Sequence, residues 1–294
     1  MLSILIPTYN YKCYDLVVEL KKQCDLVPIE YEIIVLDDAS ALQIQENLAI
    51  NTLENCSYQS NSSNLGRANN INKLINLSNF NYCLILDCDV FPKNDSFISN
   101  YLTEINSEKS IVFGGIDYQP KTPSPNEMLR WKYGINREAV SVEKRKKNPY
   151  NNLLTSNILI SKKIFKTHLF HTEIIEYGYE DLVFAKKLEH EKIPIKNIEN
   201  EVFHLNLETS VEFLQKTERA LNNLFFLETT GILPLQSTKV TKLHNKVKQL
   251  HLNKLFGKLF DLTSSILKQN LCSKNPNLVI FDLYKILYYC NISK

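Results

Sequence analysis

The amino-acid sequence predicts an α/β fold, a doubly wound and mostly parallel sheet with helices on both faces, followed by a helical C-terminal extension. Three observations predict it. Uncharged apolar runs at Leu2–Ile6, Ile33–Leu36 and Tyr82–Leu86 read as strands buried on both faces, as in parallel sheets. Segments with apolar residues at helical spacing alternate with these runs, as crossover helices require. The strand ends at Pro7–Asn10, Asp37–Ser40 and Asp87–Asp89 are polar, and open α/β sheets bind ligands beyond the carboxyl ends of their strands.

In order, the strand Leu2–Ile6 breaks at Pro7 and is followed by a helix with Tyr14, Val17, Val18 and Cys24 on one face. The run Ile33–Leu36 ends in Asp37-Asp38-Ala39-Ser40; Ile44 and Leu48 suggest a second helix, and Cys56–Gln59 a weak third strand. After the Ser/Asn-rich loop Ser60–Asn64, a helix from about Arg67 turns Ile71, Leu74 and Ile75 inward and leads to the strand Tyr82–Leu86. Phe97, Ile98, Tyr101, Leu102 and Ile105 repeat at helical spacing, and Ile111–Phe113 is a strand ending in Gly114-Gly115. Paired glycines there fit either close backbone approach to a ligand or a tight turn. The span Tyr118–Tyr150 is irregular, with Pro120, Pro123 and Pro125, aromatic Trp131 and Tyr133, and the run Lys144-Arg145-Lys146-Lys147. It reads as a substrate lid or, for the charge run, a solvated face.

Asn157–Ile160 returns to strand character, Tyr177-Gly178-Tyr179-Glu180-Asp181 precedes a helix carrying Leu182, Ala185 and Leu188, and Val202-Phe203-His204 is a short terminal strand. Thr209 and Glu212 are spaced as a capping box opening a helix through Val211, Leu214, Leu221, Leu224 and Phe225. Composition changes near Gly231–Pro234, so we expect one domain over residues 1–232 and a basic amphipathic helical extension over 233–294. From Thr229 to Phe260 there is no acidic residue, while Lys239, Lys242, Lys246, Lys248, Lys254 and Lys258 surround an apolar stripe of Leu243, Val247, Leu250, Leu255, Leu259, Leu262 and Ile266. Residues 239–268 read either as a peripheral contact to an anionic membrane or as a packed extension with its lysines in water, with Leu278–Tyr289 as its packing partner.

The chain has 294 residues, 44% hydrophobic and 22% charged, an ordinary globular composition. A net charge of +2 without interleaved aromatic and basic residues argues against nucleic acid. Seven cysteines contain no Cys-x-x-Cys pair, which fits a reducing cytoplasm. The N-terminal apolar run is too short and uncharged for a secretory signal, and no run of ~18 apolar residues occurs, so the expectation is a cytoplasmic protein, placed at the inner face of the membrane if the basic stripe binds lipid.

The chemistry is concentrated in Asp87-Cys88-Asp89. Side chains alternate along a strand, so Asp87 and Asp89 are expected to project to one side and Cys88 to the other. Two like charges so close call for a cation. Mg²⁺ and Mn²⁺ take oxygen ligands and, with few protein donors, keep positions for phosphate. The alternative is a solvated turn. Glu180 and Asp181 have a similarly plain alternative, since acids favour a first helical turn.

SILIPTYN, EIIVLDDAS, NLGRANNIN, LILDCDV, TSNILIS, GYED and VFHL together resemble, in order, the family 2 glycosyltransferases of GT-A fold, over residues 2 to about 225. The resemblance implies that Pro7, Thr8 and Tyr9 line the base and ribose of a nucleotide-sugar donor, with Asp38 on the uracil edge if the donor is a UDP-sugar. It implies Asp87 at ribose and metal, Asp89 as ligand to Mn²⁺ or Mg²⁺, and His204 as a further ligand. Asp181 resembles the general base, with Glu180 supporting it or touching the acceptor. Gly115, Trp131, Tyr133 and Asn157 are the candidate acceptor contacts. The implied reaction is an inverting hexosyl or N-acetylhexosaminyl transfer to a saccharide or lipid-linked acceptor, in surface polysaccharide synthesis. One departure concerns the family's Ala-Arg-Asn, whose Arg position is Ile71 here; Arg67, one turn earlier, is the nearby cation for the donor.

Two other classes fit the sequence less well. A dehydrogenase or kinase needs a Gly-rich phosphate loop, and the seven glycines, at 66, 114, 115, 134, 178, 231 and 257, form neither pattern. A catalytically silent carbohydrate- or protein-binding scaffold of the same fold predicts loss of the acidic set, yet Asp38, Asp87, Asp89, Asp181 and His204 are present.

Overall fold

The computed structural model describes residues 1–42, 44–105, 111–174 and 176–294. The chain divides into two compact units, one of Met1–Gln119, Glu138–Ile175 and Glu180–Asn206, the other of Pro120–Arg137, Glu176–Tyr179 and Leu207–Lys294.

The elements are β1 (Leu2–Thr8), α1 (Tyr14–Asp25), β2 (Tyr31–Asp37), α2 (Gln45–Leu48), β3 (Cys56–Ser60), α3 (Arg67–Leu77), β4 (Tyr82–Leu86), β5 (Val90–Pro92), α4 (Phe97–Leu102), β6 (Ile111–Phe113) and β7 (Ile116–Asp117). They continue as α5 (Met128–Tyr133), α6 (Val142–Lys147), β8 (Asn157–Ser161), α7 (Lys162–Thr167), α8 (Glu180–His190), β9 (Ile195–Asn197), β10 (Val202–His204), α9 (Ser210–Thr229), α10 (Lys239–Gln249), α11 (Asn253–Leu271) and α12 (Leu278–Ile292).

The first unit is a mixed α/β body on a seven-stranded sheet of order β3-β2-β1-β4-β8-β6-β9. Its parallel core pairs β1 with β2 and β4, while β8 runs antiparallel to β4 and β6. Side-chain alternation splits the apolar runs between two cores. Ile4, Ile6, Ile33, Val35, Leu84 and Leu86 pack with Leu16, Val17 and Leu20 of α1. Leu5, Ile34, Leu36, Cys83 and Ile85 pack on the other face with Ile71 and Leu74 of α3 and Phe184 of α8. Burial on both faces is why these strands carry no polar alternation. A three-stranded sheet, β5-β10-β7, stands beside it.

β4 ends at Leu86 and β5 begins at Val90, so Asp87-Cys88-Asp89 form a turn. The strand alternation expected to aim both carboxylates one way therefore does not reach them.

The span 118–150 is more ordered than its prolines suggest, with α5, a π-helical turn at Gly134–Glu138 and α6. Within the basic run the lysines are exposed but Arg145 is 1% exposed. Its guanidinium donates to the carbonyls of Val140 (2.9 Å), Phe113 (3.2 Å), Gly114 and Ile198 (both 3.1 Å), and pairs with Glu201 at 3.0 Å. This corrects the reading of that residue as part of a solvated face or lid. It also explains the paired glycines, because Gly115 has φ +93° and a Cβ there would lie 2.5 Å from an Arg145 nitrogen. The close approach is to an internal arginine, so Gly115 is withdrawn as an acceptor contact.

In the second unit Thr209 and Glu212 form the expected capping box on α9, the Glu212 carboxylate accepting from Thr209 N at 2.9 Å. Phe281, Tyr284 and Leu287 of α12 pack with Phe260 and Leu271 of α11, Leu214 of α9 and Leu129 of α5, so α12 is the partner of the basic helix. Tyr133 lies against Phe213 and Phe281, with ring centroids at 5.3 and 5.5 Å. Its ring contributes to this core, whereas the sequence reading made it a candidate acceptor contact in a lid; Trp131, half-buried, shares its helix.

Candidate active site

Strand ends of the large sheet build the site. β1 and β2 run in register to Thr8 opposite Asp37, and Asp38 N donates to Thr8 O at 2.9 Å. Asp38 is 4% exposed, and its Oδ1 accepts from Asn61 Nδ2 (2.9 Å) and Leu65 N (2.8 Å). That carboxylate pins the loop leading into α3. Pro7 and Thr8 are buried, whereas Tyr9 is 49% exposed, so Tyr9 is the member of this trio that presents a side chain outward.

The two acids of the turn face different partners. Asp87 Oδ1 accepts from Arg67 Nη2 at 2.6 Å and Nε at 3.2 Å. The same guanidinium reaches, through Nη1, Thr155 Oγ1 at 2.9 Å, Asp181 Oδ1 at 3.2 Å and Glu180 Oε1 at 3.7 Å. Arg67 opens α3, and Glu180 and Asp181 open α8, so two helix starts and the β4 end meet at one cation. Thr155, just before β8, donates its hydroxyl to Asp181 Oδ1 and its backbone N–H to Oδ2 at 3.3 Å. Both oxygens of Asp181 are thereby oriented.

Charge balance follows from this geometry. Burial disfavours the Arg67 cation, yet Asp87, Asp181 and Glu180 outweigh it and hold its pKa well above the usual value. Burial raises Asp87, with Asp89 and Asp181 adding repulsion and Arg67 opposing them. Glu180 is likewise raised by burial and by Asp181, against Arg67. Asp87 and Glu180 are thus shifted in the same direction, upward, by burial and neighbouring carboxylates.

Asp89 meets His204. The antiparallel ladder of β5 and β10 sets His204 opposite Val90, which brings its Nε2 within 3.5 Å of Asp89 Oδ2. Tyr118 stacks on the imidazole, with centroids 5.5 Å apart, and donates its hydroxyl to Glu138. The Tyr11 phenol is pushed up to about 12, by burial first and then by the Asp89 charge, so it remains a proton donor beside that carboxylate. No group of three or more His, Cys, Asp or Glu that could hold a metal occurs among the described residues. One carboxylate and one imidazole, with Arg67 occupying Asp87, fit a dication that completes its shell with donor phosphates better than a closed protein cage.

Residues 3–172, more than half of the chain, match the sequence profile of Glycosyl transferase family 2. The chain belongs to that family. It is 26% identical over 234 residues to the Escherichia coli chondroitin synthase, covering 67% of this chain and 33% of that protein. Among solved structures, S. aureus TarS matches 98% of this chain and 54% of its own at TM-score 0.54 and 17% identity. The mannosyltransferase PcManGT from Pyrobaculum calidifontis, in complex with GDP-Man and Mn²⁺, matches 75% of this chain and 61% of its own at TM-score 0.51 and 13% identity. These likenesses carry the GT-A-like fold, and the chain spans only a third to about three fifths of each of these proteins.

For this family 2 chain, the structure gathers Arg67, Asp87, Glu180 and Asp181 around one guanidinium and sets Asp89 beside His204. Asn157 does not join an open site. It is 0% exposed, its Nδ2 donates to the carbonyls of Gly115 (2.8 Å) and Asn200 (2.9 Å), and its Oδ1 accepts from Tyr101 at 2.7 Å. With its amide fully engaged it braces the sheet, which corrects its assignment to the acceptor. Thr155, Tyr118 and Tyr11 were missed. Thr155 lay inside a recognised motif, but nothing local marked Tyr118, whose stacking depends on β7 running beside β10.

Proposed function

We propose that this chain is an inverting, metal-dependent glycosyltransferase that moves a hexosyl or N-acetylhexosaminyl group from a nucleoside diphosphate, UDP in our reading, to a saccharide or lipid-linked acceptor in surface polysaccharide synthesis. The observation that carries the reading is the single Arg67 guanidinium in contact with both Asp87 and Asp181. Donor-side and base-side carboxylates thus share one site, within reach of a single sugar. Among the neighbours, TarS is also known in complex with UDP and PcManGT with GDP-Man and Mn²⁺, which supports a nucleoside diphosphate donor.

Asp181 accepts the proton of the acceptor hydroxyl as that oxygen bonds to the anomeric carbon, while the bond from that carbon to the diphosphate oxygen breaks and its electron pair leaves with the diphosphate. One displacement inverts the anomeric centre. Thr155 and Arg67 hold the base in position, and Glu180 supports it or touches the acceptor. Asp89 and His204 would hold a dication, which would supply Lewis-acid stabilisation of the departing diphosphate.

The test is a panel of UDP-, GDP- and other nucleotide-sugars with Mn²⁺, assayed for released nucleoside diphosphate. We expect release from one nucleotide class, stopped by chelator and restored by Mn²⁺. Binding without release from any donor, across a panel of acceptors, points instead to the silent scaffold.

A further inference from the structure

We infer that α10 and α11 form a docking face for an anionic phospholipid surface. The inference is independent of the transfer reaction and rests on the second unit alone. On α11 the side chains separate into two stripes. Phe256, Phe260, Leu267 and Leu271 belong to the cluster shared with α12. Leu255, Leu259, Leu262 and Ile266 remain 60%, 41%, 77% and 65% exposed. Their spacing of four, three and four residues confines them to an arc of about 60° at 3.6 residues per turn. On α10, Val247 is buried against Ile286 and Cys290 of α12, while Leu243 and Leu250 are 47% and 67% exposed. The packing partner found for this segment therefore covers one side and leaves the other bare.

The charges around the bare side have one sign. Lys239, Lys242, Lys246, Lys248, Lys254 and Lys258 are all exposed, and among the described residues none is ion-paired. The lone acid of α10 and α11, Asp261, is taken by Lys294 at 2.8 Å. On the wheel of α11, Lys254 and Lys258 lie along one edge of the apolar stripe, so their ammonium groups can snorkel outward while the leucines point into an apolar phase. Exposed apolar side chains rimmed by unpaired lysines are the composition of an interfacial helix, and juxtaposed lysines add attraction to anionic lipid.

Other occupants fit less well. A second copy meeting this face symmetrically would oppose Lys254 and Lys258 to their own equivalents across a dry contact, at a repulsive cost. A nucleic acid would leave exposed apolar residues such as Leu262, Leu250 and Ile266 without a partner. No helix among the described residues is long and apolar enough to cross a membrane, so the contact is one lying in the interface.

The full chain is tested by co-sedimentation with phosphatidylcholine vesicles with and without phosphatidylglycerol. Wild type is expected to pellet with the anionic vesicles, more weakly with neutral ones, and to be released by salt of ~0.5 M, where screening is short-ranged. Leu262→Ser with Ile266→Ser should lower the partition coefficient at least about tenfold, and Lys254→Gln with Lys258→Gln about tenfold. All four positions are exposed, and circular dichroism checks that the variants stay folded. The inference is overturned if wild type stays in the supernatant, if both variants pellet like wild type, or if sedimentation equilibrium shows a lipid-independent oligomer that the Leu262→Ser, Ile266→Ser change dissolves. Because the readout is partitioning, failure here leaves the nucleotide-sugar reading standing, and failure there leaves this one.

Discussion

Asp181→Asn is expected to lower glycosyl transfer about 10³-fold, the middle of the range for losing a positioned general base, with little change in the circular dichroism spectrum. Asparagine is nearly isosteric, and its one oxygen can still accept from the Thr155 hydroxyl while its amide nitrogen replaces the oxygen that accepts the Thr155 backbone N–H. What disappears is the basicity. A sugar hydroxyl is a weak nucleophile, so without a group to take its proton the attacking oxygen carries a growing positive charge. Glu180 is a poor substitute, because burial and the neighbouring charge push it toward the neutral form. A product assay on the purified variant measures the effect, and turnover within about tenfold of wild type rejects the role.

Arg67→Gln has the second large effect, and it extends to stability. The guanidinium is the cation shared by Asp87, Glu180 and Asp181, with its side chain 27% exposed. Stranding buried carboxylates usually costs ~3–5 kcal/mol; the partial exposure lowers our expectation to about 2–3 kcal/mol at neutral pH, read as a shift of the urea midpoint. The pH dependence has a definite sign. Glu180 already titrates above its usual range, and without Arg67 it rises further. A carboxyl whose folded pKa exceeds its unfolded one penalises folding when ionised, so the deficit of the variant is largest at neutral pH and shrinks as pH falls through the folded value. Transfer should fall by at least about 100-fold, since Asp181 loses an orienting partner. An unchanged midpoint at neutral pH contradicts the shared-cation description.

What was legible in the chain follows from the range of the forces involved. β1, β2 and β4 announce themselves because burial on both faces leaves runs of apolar residues without polar alternation, and the Thr209 and Glu212 cap is visible because its bonds span three residues. The turn at Asp87–Asp89 was misread because strand alternation was carried past the residue where the ladder stops. Arg145 was hidden among lysines. Its burial is decided by carbonyls of Phe113, Gly114 and Ile198, far away in sequence, and the paired glycines take their meaning from it. Arg67 was read as a contact to the donor, but its present partners lie at positions 87, 155, 180 and 181. The family motifs point to the acids; only the fold gathers them about one cation.

Binding of UDP with Mn²⁺, titrated by calorimetry into wild type, Asp89→Ala and Asp181→Asn, tests most directly whether one cleft has a donor side and a base side. The structure leads us to expect Asp181→Asn to bind within about twofold of wild type while its transfer falls about 10³-fold, and Asp89→Ala to lose at least about tenfold in affinity, as removal of a metal ligand should. Equal nucleotide affinity in all three proteins, or transfer by Asp181→Asn within about tenfold of wild type, would contradict the assignment.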